Sequence, residues 1–311
     1  MTFYQKDPIL EELGNKILGA TWQEFPGLAR NQIAITWLVY DPPFPVNMGG
    51  AIADSEFWKY PIRGFGYRGL ELVYPASVVK LFYLVAVQEW LSKGMISTSP
   101  ELERAIRDMI VDSSNDATSL VVDVLTGTTS GPELPPEPFK TWQGQRNIVN
   151  RYFQSLGWSE LQGINVNQKT WGDGSYGRER SSLGEYRENQ NQLTTDATAR
   201  LLHSIVGGVA VSGERSQIML KLMERSLDPV ELDKNQENQV QGFLGEGLPL
   251  GAKLWSKAGW MQQIRHDAAY IELPQGLPYS LVVFTESVVN KKNKLLLPFL
   301  SQQVATAMAS L

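Results

Sequence analysis

The amino-acid sequence predicts an α+β protein, in which an antiparallel sheet with covering helices is joined to a helical subdomain. β-branched and aromatic residues are concentrated in residues 32–40, and alternating segments return at 252–257, 268–272 and 280–285. Between them, residues 77–124 have the periodicity of helices. We therefore expect both ends of the chain to supply one sheet, with the helical middle beside it.

The distribution of polar and apolar stretches predicts where each subdomain begins and ends. We expect residues 1–74 and about 248–311 to form the sheet subdomain and about 75–247 the helical subdomain, within a single unit of 311 residues. A short strand is expected near 65–73. Residues 171–193 are polar, contain glycines and lack periodicity, so we expect a functional loop resembling an omega loop there.

Helices are also expected at both ends of the chain. Ile9, Leu13 and Ile17 recur at helical spacing after Pro8, and residues 295–311 are apolar enough to form a closing helix. Both helices would cover the sheet.

The composition excludes several classes of function. The 28 Lys and Arg residues against 33 Asp and Glu give a net charge of −5 without a long run of like charge. Neither a nucleic acid nor an anionic membrane is therefore expected as a partner, and a small-molecule substrate is favoured. The absence of cysteine excludes disulfides and thiolate catalysis. Only two histidines are present, His203 on an expected helix and His266 in an expected turn. No metal and no cofactor are expected.

The sequence leaves the oligomeric state and the compartment open. No stretch approaches the ~18 apolar residues of a membrane span, so no membrane insertion is expected. The first residues lack the apolar core of a signal peptide, which predicts a cytoplasmic location as written, or a periplasmic or extracellular one if a leader was removed.

Ser77 and Lys80 are the first candidate catalytic pair. They stand three residues apart at the start of an almost wholly apolar helix, so one helical turn brings them to the same face. A Lys in apolar surroundings can accept the proton of a Ser hydroxyl. The alternative interpretation is a Ser helix cap followed by a solvated Lys.

Two further polar segments lie where the periodicity of the helices or strands is interrupted. Ser113 and Asn115 lie two residues apart between two helical segments, where both can point into one cleft, although they can also be helix caps. Lys257 lies on a probable strand before Ala258 and Gly259, and a Gly there lets a ligand approach the backbone.

The three elements together resemble the Ser-x-x-Lys, Ser-x-Asn and Lys-Thr-Gly motifs of the penicillin-recognising serine hydrolases, which include class A β-lactamases and penicillin-binding proteins. The order and the spacing of the motifs are similar, over nearly the whole chain. The resemblance implies a β-lactamase/transpeptidase-like fold.

The resemblance also implies a role for each matching residue. Ser77 would attack an acyl carbonyl to form an acyl-enzyme, and Lys80 would accept its proton. Ser113 would relay a proton to the leaving nitrogen, and Asn115 would bind the amide of the substrate. Lys257 would keep the site cationic.

The strand that carries Lys257 would also bind substrate. The resemblance implies an oxyanion hole formed by the backbone N–H groups of Ser77 and Trp260, with Ala258 and Gly259 beside it. Arg265 resembles the cation that binds a substrate carboxylate, and its alternative is a solvated turn residue.

The motifs also depart from the family pattern. Ala258 replaces a hydroxyl residue, which removes a hydrogen-bond donor to substrate, and Trp260 is large where a small residue is frequent. Class A enzymes activate the deacylating water with an omega-loop Glu followed four residues later by Asn. Glu185 has this spacing, but Glu179 and Glu188 compete for the role.

Three functional hypotheses follow from the resemblance. The first is a class A-like β-lactamase that hydrolyses β-lactams through acyl-Ser77. The second is a penicillin-binding DD-peptidase, or an esterase or amidase, with slow deacylation. The third is a non-catalytic binding or sensing domain, suggested by Ala258, Trp260 and the missing export signal.

Overall fold

A computed structural model describes residues 2–41, 52–234, 237–261, 263–286 and 294–311. Its contacts divide the chain into two compact units. The first unit comprises Met1–Glu71 and Thr194–Leu311, and the second comprises Leu72–Leu193.

The described strands are β1 (Gln5–Lys6), β2 (Ile33–Val39), β3 (Arg63–Tyr67), β4 (Glu224–Arg225), β5 (Lys253–Met261), β6 (Ile264–Glu272) and β7 (Tyr279–Thr285). The described helices are α1 (Pro8–Glu24), α2 (Asp54–Phe57), α3 (Lys80–Ser92), α4 (Pro100–Val111), α5 (Asn115–Thr126), α6 (Pro136–Arg146), α7 (Ile148–Ser155), α8 (Gly177–Leu183), α9 (Thr195–Val206), α10 (Gly213–Met223), α11 (Pro229–Leu232) and α12 (Leu296–Met308). Short 3-10 helices cover Arg30–Gln32, Ala76–Val79, Ser159–Leu161 and Leu244–Gly247.

All described strands belong to the first unit and form one sheet in the order β1-β3-β2-β7-β6-β5-β4. Neighbouring strands are antiparallel except β1 and β3, which are parallel. A sheet with helices around it confirms the α+β fold class. Strands from both ends of the chain meet where β2 pairs with β7, from Ile33 opposite Thr285 to Val39 opposite Tyr279.

Strand β2 is buried along its whole length because helices cover both faces of the sheet. Ile35 and Trp37 belong to the apolar core that α1 and α12 share with the sheet. The hydroxyl of Thr36 points to the opposite face, as strand alternation requires, and lies 2.6 Å from Asp196 Oδ1 at the start of α9.

The second unit contains α3 to α8 and is centred on α3. Every residue of α3 from Lys80 to Gln88 is buried, which agrees with its nearly uninterrupted apolar sequence. The ring of Phe82 contacts the edge of Phe153 from α7, with ring centroids 5.0 Å apart. A Lys at the first position of this helix therefore enters apolar surroundings.

Several element predictions differ from the structure. The strand expected near 65–73 is Arg63–Tyr67, and Val73 forms only an isolated bridge with Leu193. The region 77–124, expected to be helical with a polar break at Ser113 and Asn115, contains α3, α4 and α5, and the expected break lies between α4 and α5.

Two assignments along the rest of the chain also differ. Helices α9 and α10, which we expected in the helical subdomain, belong to the first unit, because α9 packs its apolar side against β2, β6 and β7. His266 lies within β6 rather than in a turn, and its Nδ1 accepts the backbone N–H of Thr285 at 3.0 Å.

In the part of the chain that the structure describes, no helix combines the length and the apolar character needed to cross a membrane.

We predict that Phe82→Ala lowers the free energy of unfolding by about 3–5 kcal/mol, because it leaves a cavity beside Phe153 in the centre of the second unit. Urea unfolding would measure the change. Tyr186→Ala is the control, since Tyr186 is 83% exposed and its loss is expected to change stability by less than about 0.5 kcal/mol. Equal effects of the two substitutions would contradict the assignment of Phe82 to the core.

Candidate active site

Ser77 lies in the 3-10 turn Ala76–Val79, directly before α3. It is half-buried, while its neighbours Val78 and Val79 are fully buried. Ala76 has a φ of 46°, in the left-handed region that residues other than Gly seldom adopt. The backbone before Ser77 is therefore in an uncommon conformation, a feature that is frequent at active sites.

Lys80 is buried at the first position of α3 and contacts the α4–α5 connection. Its Nζ donates hydrogen bonds to the backbone carbonyl of Ser113 and to Asn115 Oδ1, at 3.0 Å for the latter, and lies 3.3 Å from Ser113 Oγ. Burial disfavours the charged amine and lowers the pKa of Lys80 to about 7. The structure thus brings Ser113 and Asn115 to the predicted base.

The α4–α5 connection presents its polar groups to Lys80 through an unusual backbone conformation. Ser113 has a φ of 55°, also in the left-handed region. The next residue, Ser114, caps α5 by accepting the backbone N–H of Ala117 at 3.1 Å. Ser114 therefore serves the helix, while Ser113 and Asn115 face the amine.

Glu185, the predicted activator of water, is exposed. It lines a surface cavity of about 540 Å³ together with Glu133, Arg180 and Arg187, and neither Ser77 nor Lys80 lines this cavity. Its competitor Glu188 is also exposed and accepts the backbone N–H of Tyr186 at 2.9 Å.

Glu179, the third candidate, is completely buried in an ionic cluster. It accepts hydrogen bonds from Arg146 Nη2 at 2.6 Å and from Ser130 Oγ at 2.8 Å, and Lys169 Nζ lies 3.8 Å away. Arg146 and Lys169 also contact Asp123, so two cations balance two carboxylates. This cluster fixes α8 to the rest of the second unit. Among the contacts of the described residues, none joins Glu179, Glu185 or Glu188 to Ser77 or Lys80.

Neutral amides hold together the two ends of the loop that contains α8. Asn165 and Gln192 exchange backbone hydrogen bonds of 2.9 and 2.8 Å. The side chains of Asn165 and Asn167 donate to Asn189 Oδ1 at 3.0 and 2.9 Å. The Asn four residues after Glu185 therefore closes the base of the loop in this structure.

In the first unit, Lys257 and Ala258 are buried on β5 and contact a residue that the sequence did not indicate. Gln239 Oε1 accepts a hydrogen bond from Lys257 Nζ at 2.5 Å and another from the backbone N–H of Ala258 at 3.2 Å. Lys257 Nζ also donates to the carbonyl of Ala258 at 2.8 Å. Gln239 lies in a segment rich in Asn, Gln and Glu, where composition alone does not distinguish it.

Arg265 on β6 lies opposite Trp260 on β5. Its Nε donates to the carbonyl of Gly242 at 2.5 Å, and its guanidinium lies over the ring of Phe243, 3.9 Å from the centroid. Trp260 is half-buried and also contacts Phe243, whereas Gly259 is buried. Arg265 therefore anchors the segment before β5, and its role toward a substrate carboxylate stays a prediction.

Asp267 is a second residue that the sequence analysis missed. It lies opposite Ala258 on β6, is completely buried, and accepts the backbone N–H of Leu244 at 3.1 Å through Oδ2. Burial raises the pKa of Asp267 to about 7, partly offset by the backbone bond to Leu244 and the charge of Lys257. The sequence signal that could have identified Asp267 is an acidic residue within an otherwise apolar strand.

A model of the β-lactamase enzyme family matches residues 97–308, more than half of the chain. The match begins after Ser77 and Lys80 and includes Ser113, Asn115 and Lys257. A search of curated proteins found no match.

Solved structures with a similar fold include β-lactamases and a penicillin-binding protein. A β-lactamase from Sphaerobacter thermophilus is 17% identical, with a TM-score of 0.65 over 95% of this chain and 97% of its own. PBP-A is also 17% identical, with a TM-score of 0.65 over 99% and 98% of the two chains. A variant of PBP-A, in an acyl-enzyme complex with penicillin G, has the same identity and coverage and a TM-score of 0.64. The β-lactamase/transpeptidase-like fold expected from the motifs is confirmed.

We predict that Arg146→Met lowers the free energy of unfolding by about 3–5 kcal/mol, because it leaves the buried Glu179 carboxylate without its closest cation. The double variant Arg146→Met/Glu179→Met is expected to recover much of this loss. Urea unfolding would measure both.

The exposed pair of Arg104 and Glu101, 3.7 Å apart, provides the control for the buried pair. Arg104→Met is expected to change stability by less than about 1 kcal/mol. A double variant at Arg146 and Glu179 no more stable than the single one would contradict the interpretation that the buried charge causes the loss.

Proposed function

Because the chain belongs to the β-lactamase enzyme family, we propose that it is a serine hydrolase in which Ser77 reacts with a β-lactam or a related acyl donor to form an acyl-Ser77 intermediate. The observation that carries this proposal is the environment of Lys80. A buried amine with a pKa of about 7, at the start of the helix that follows Ser77, suits a general base near neutral pH.

Acylation would begin with transfer of the Ser77 hydroxyl proton to neutral Lys80. The Ser77 oxygen would form a bond to the acyl carbon, and the amide C–N bond of the substrate would then break. The proton would pass from Lys80 through Ser113 Oγ, which lies 3.3 Å from Nζ, to the leaving nitrogen. Asn115 both accepts a hydrogen bond from Lys80 and is the proposed amide-binding residue. The roles that the resemblance gives to Lys257, Trp260 and Arg265 stay predictions.

We infer further that deacylation is slow, as in the second hypothesis. The exposure of Glu185 supports this, because a general base must reach the water that attacks the acyl carbon. The burial of Glu179 among two cations leaves that carboxylate engaged elsewhere. The PBP-A variant with the similar fold is described as an acyl-enzyme complex with penicillin G, which is consistent with a β-lactam as the acylating compound.

Class A-like turnover through Glu185 is the second candidate function, favoured by membership of the β-lactamase family and by the spacing between Glu185 and Asn189. The non-catalytic hypothesis predicts no covalent product at all. The three hypotheses therefore differ in one observable, the fate of Ser77 in the presence of a β-lactam.

We predict that nitrocefin gives one stoichiometric burst of colour followed by slow turnover, and that intact-mass analysis shows a persistent adduct which Ser77→Ala abolishes. Glu185→Gln is expected to leave the release rate unchanged, because the Glu185 side chain is exposed. Rapid steady turnover that Glu185→Gln reduces by about 100-fold or more would instead support class A-like hydrolysis. An unlabelled wild-type protein would contradict the proposal of acylation.

We also predict a pH dependence of acylation that follows Lys80. Because burial lowers the pKa of Lys80 to about 7, the neutral base is abundant above this pH and is lost below it. The second-order rate of adduct formation is expected to fall about tenfold for each pH unit below about 7 and to level off above it. Labelling by a fluorescent penicillin between about pH 5 and about pH 9 would measure the profile. A rate that is constant over this range would exclude Lys80 as the base.

A further inference from the structure

An open apolar groove of about 920 Å³ runs along α12 in the first unit. Its walls come from α12, the end of α1, the 3-10 helix Leu244–Gly247 and the connection between β6 and β7. Phe299 lines the groove and packs against the edge of Phe25, with ring centroids 5.6 Å apart. Leu295, which is 62% exposed, lines it too. Contiguous apolar surface of this kind on a folded protein commonly marks an interaction site.

Close backbone contacts hold the walls of the groove in place. A Cβ atom at Gly247 would clash with the backbone carbonyl of Pro298 on α12, so the 3-10 helix approaches α12 this closely only because it carries a Gly there. Farther along, a Cβ atom at Gly251 would lie 3.3 Å from the ring of Pro274. The groove therefore has a preformed shape.

Leu250 projects from a tight turn beside this groove. The N–H of Ala252 donates to the carbonyl of Pro249 at 3.2 Å, and Gly251 has a φ of 85°, which is typical of the third residue of a type II turn. Leu250 is 99% exposed, the highest value among the exposed large apolar side chains of the described residues. Gly, Pro, Asn, Asp and Ser are the usual residues of turns. A Leu held outward at this position therefore points to a contact with a partner.

Leu250 and the groove lie on the same face of the first unit. Pro249, directly before Leu250, lines the groove, and Gly251, directly after it, lies against Pro274, which also lines the groove. A surface that carries a projection beside a groove is self-complementary under a two-fold axis. Two copies of this chain can therefore cover both features at once, because Leu250 of each copy enters the groove of the other. An apolar segment of a different protein would fill the groove but leave Leu250 without a partner.

The charges around the two features are complementary between copies. Glu24 and Glu246 line the groove and give it an acidic rim. Lys253 follows Leu250 by three residues, and its side chain is 69% exposed. It lies 3.5 Å from Glu272 of its own chain, a surface ion pair that contributes little to stability. Insertion of Leu250 would therefore bring a cation toward the acidic rim of the other copy, which favours this arrangement.

We propose that this groove is the interface of a two-fold symmetric dimer, in which Leu250 of each copy inserts into the groove along α12 of the other. The groove follows α12 from Leu295 to Ser310, a length of about 22 Å. A face of that length is at the lower end of the size of specific interfaces, so the expected dissociation constant is about 1–100 µM. The inference goes beyond the proposed function, and neither depends on the other.

Sedimentation equilibrium of the full chain between about 1 µM and about 1 mM tests the dimer. Leu250→Asp is expected to raise the dissociation constant about 100-fold, because each Leu contact is worth about tenfold and occurs twice. Leu70→Asp is the matched control, since Leu70 is 68% exposed in the same unit but does not line the groove. A monomeric wild type over this range, or equal effects of the two substitutions, would overturn the inference.

Thr306→Arg tests the groove side of the contact. Thr306 is exposed on α12 and lines the groove, so a long cationic side chain there is expected to obstruct the groove and to raise the dissociation constant about tenfold or more. A dimer that Thr306→Arg leaves intact uses another surface, and the inference is then wrong. The inference is also wrong if wild type is monomeric and binds an apolar fluorescent dye that Thr306→Arg excludes, because the groove then serves a small apolar ligand.

Cross-linking reports the contact directly, because the chain contains no cysteine. An equimolar mixture of Leu250→Cys and Gln302→Cys is expected to form the mixed disulfide on oxidation, since Gln302 is exposed near the middle of the groove. The control mixture is Leu70→Cys with Gln302→Cys. Intact-mass analysis distinguishes the mixed disulfide from the symmetric ones, and equal yields from the two mixtures would contradict the proposed contact.

Acylation separates this inference from the proposed function. Leu250 lies outside the residues proposed for acylation, so Leu250→Asp is expected to be labelled by a fluorescent penicillin at the wild-type rate. If wild type dimerises through the groove but Ser77 is never labelled, the proposed function fails and the dimer stands. If Ser77 is labelled while wild type stays monomeric, the proposed function stands and the dimer is overturned.

Discussion

The burial of the Lys80 amine is the constraint on which the candidate chemistry depends. Helix α3 is apolar along nearly its whole length, and the amine at its first position has to find hydrogen-bond acceptors or lose its charge. The left-handed conformation of Ser113 turns a backbone carbonyl toward it, and Asn115 adds a side-chain carbonyl. These acceptors satisfy the hydrogen-bonding capacity of the amine without adding negative charge, so desolvation still lowers the pKa of Lys80 to about 7. The apolar surroundings of α3, which form the core of the second unit, are therefore also the cause of the lowered pKa of Lys80.

The part of the fold and the site that depends on local pattern was predictable from the sequence. The strand at residues 32–40 and the three C-terminal strands follow from alternation, and the motif residues stand at breaks that periodicity shows. The contact of Lys80 with Ser113 and Asn115 was implied by the family resemblance rather than by local pattern, because these residues are 33 and 35 positions away in sequence. The full length of β5 and β6 was missed, since alternation was recognised only at 252–257 and 268–272.

The choice among the three loop glutamates was beyond local pattern. The four-residue spacing between Glu185 and Asn189 favoured Glu185. The position of α8, which comes just before Glu185 in the chain, depends instead on the pairing of Glu179 with Arg146, 33 residues away in sequence. The base of the loop is closed by Asn165 and Asn189, which are 24 residues apart and have no charge that would reveal their pairing. Gln239 was missed for a similar reason, since its partner Lys257 is 18 residues away and the surrounding segment is uniformly polar. Long-range polar contacts of this kind depend on tertiary structure, and composition does not report them.

The buried Lys80 of the second unit donates to the neutral amide of Asn115, and the buried Lys257 of the first unit donates to the neutral amide of Gln239. A carboxylate in place of Asn115 would favour the charged amine and raise the pKa of Lys80, so the base would be protonated at neutral pH. A carboxylate in place of Gln239 would add negative charge beside Lys257, which already interacts with the buried Asp267. The amide of Asn115 avoids the effect on Lys80, because it accepts the hydrogen bond without adding negative charge. The amide of Asn115 thus leaves Lys80 available for accepting a proton, as the proposed function requires.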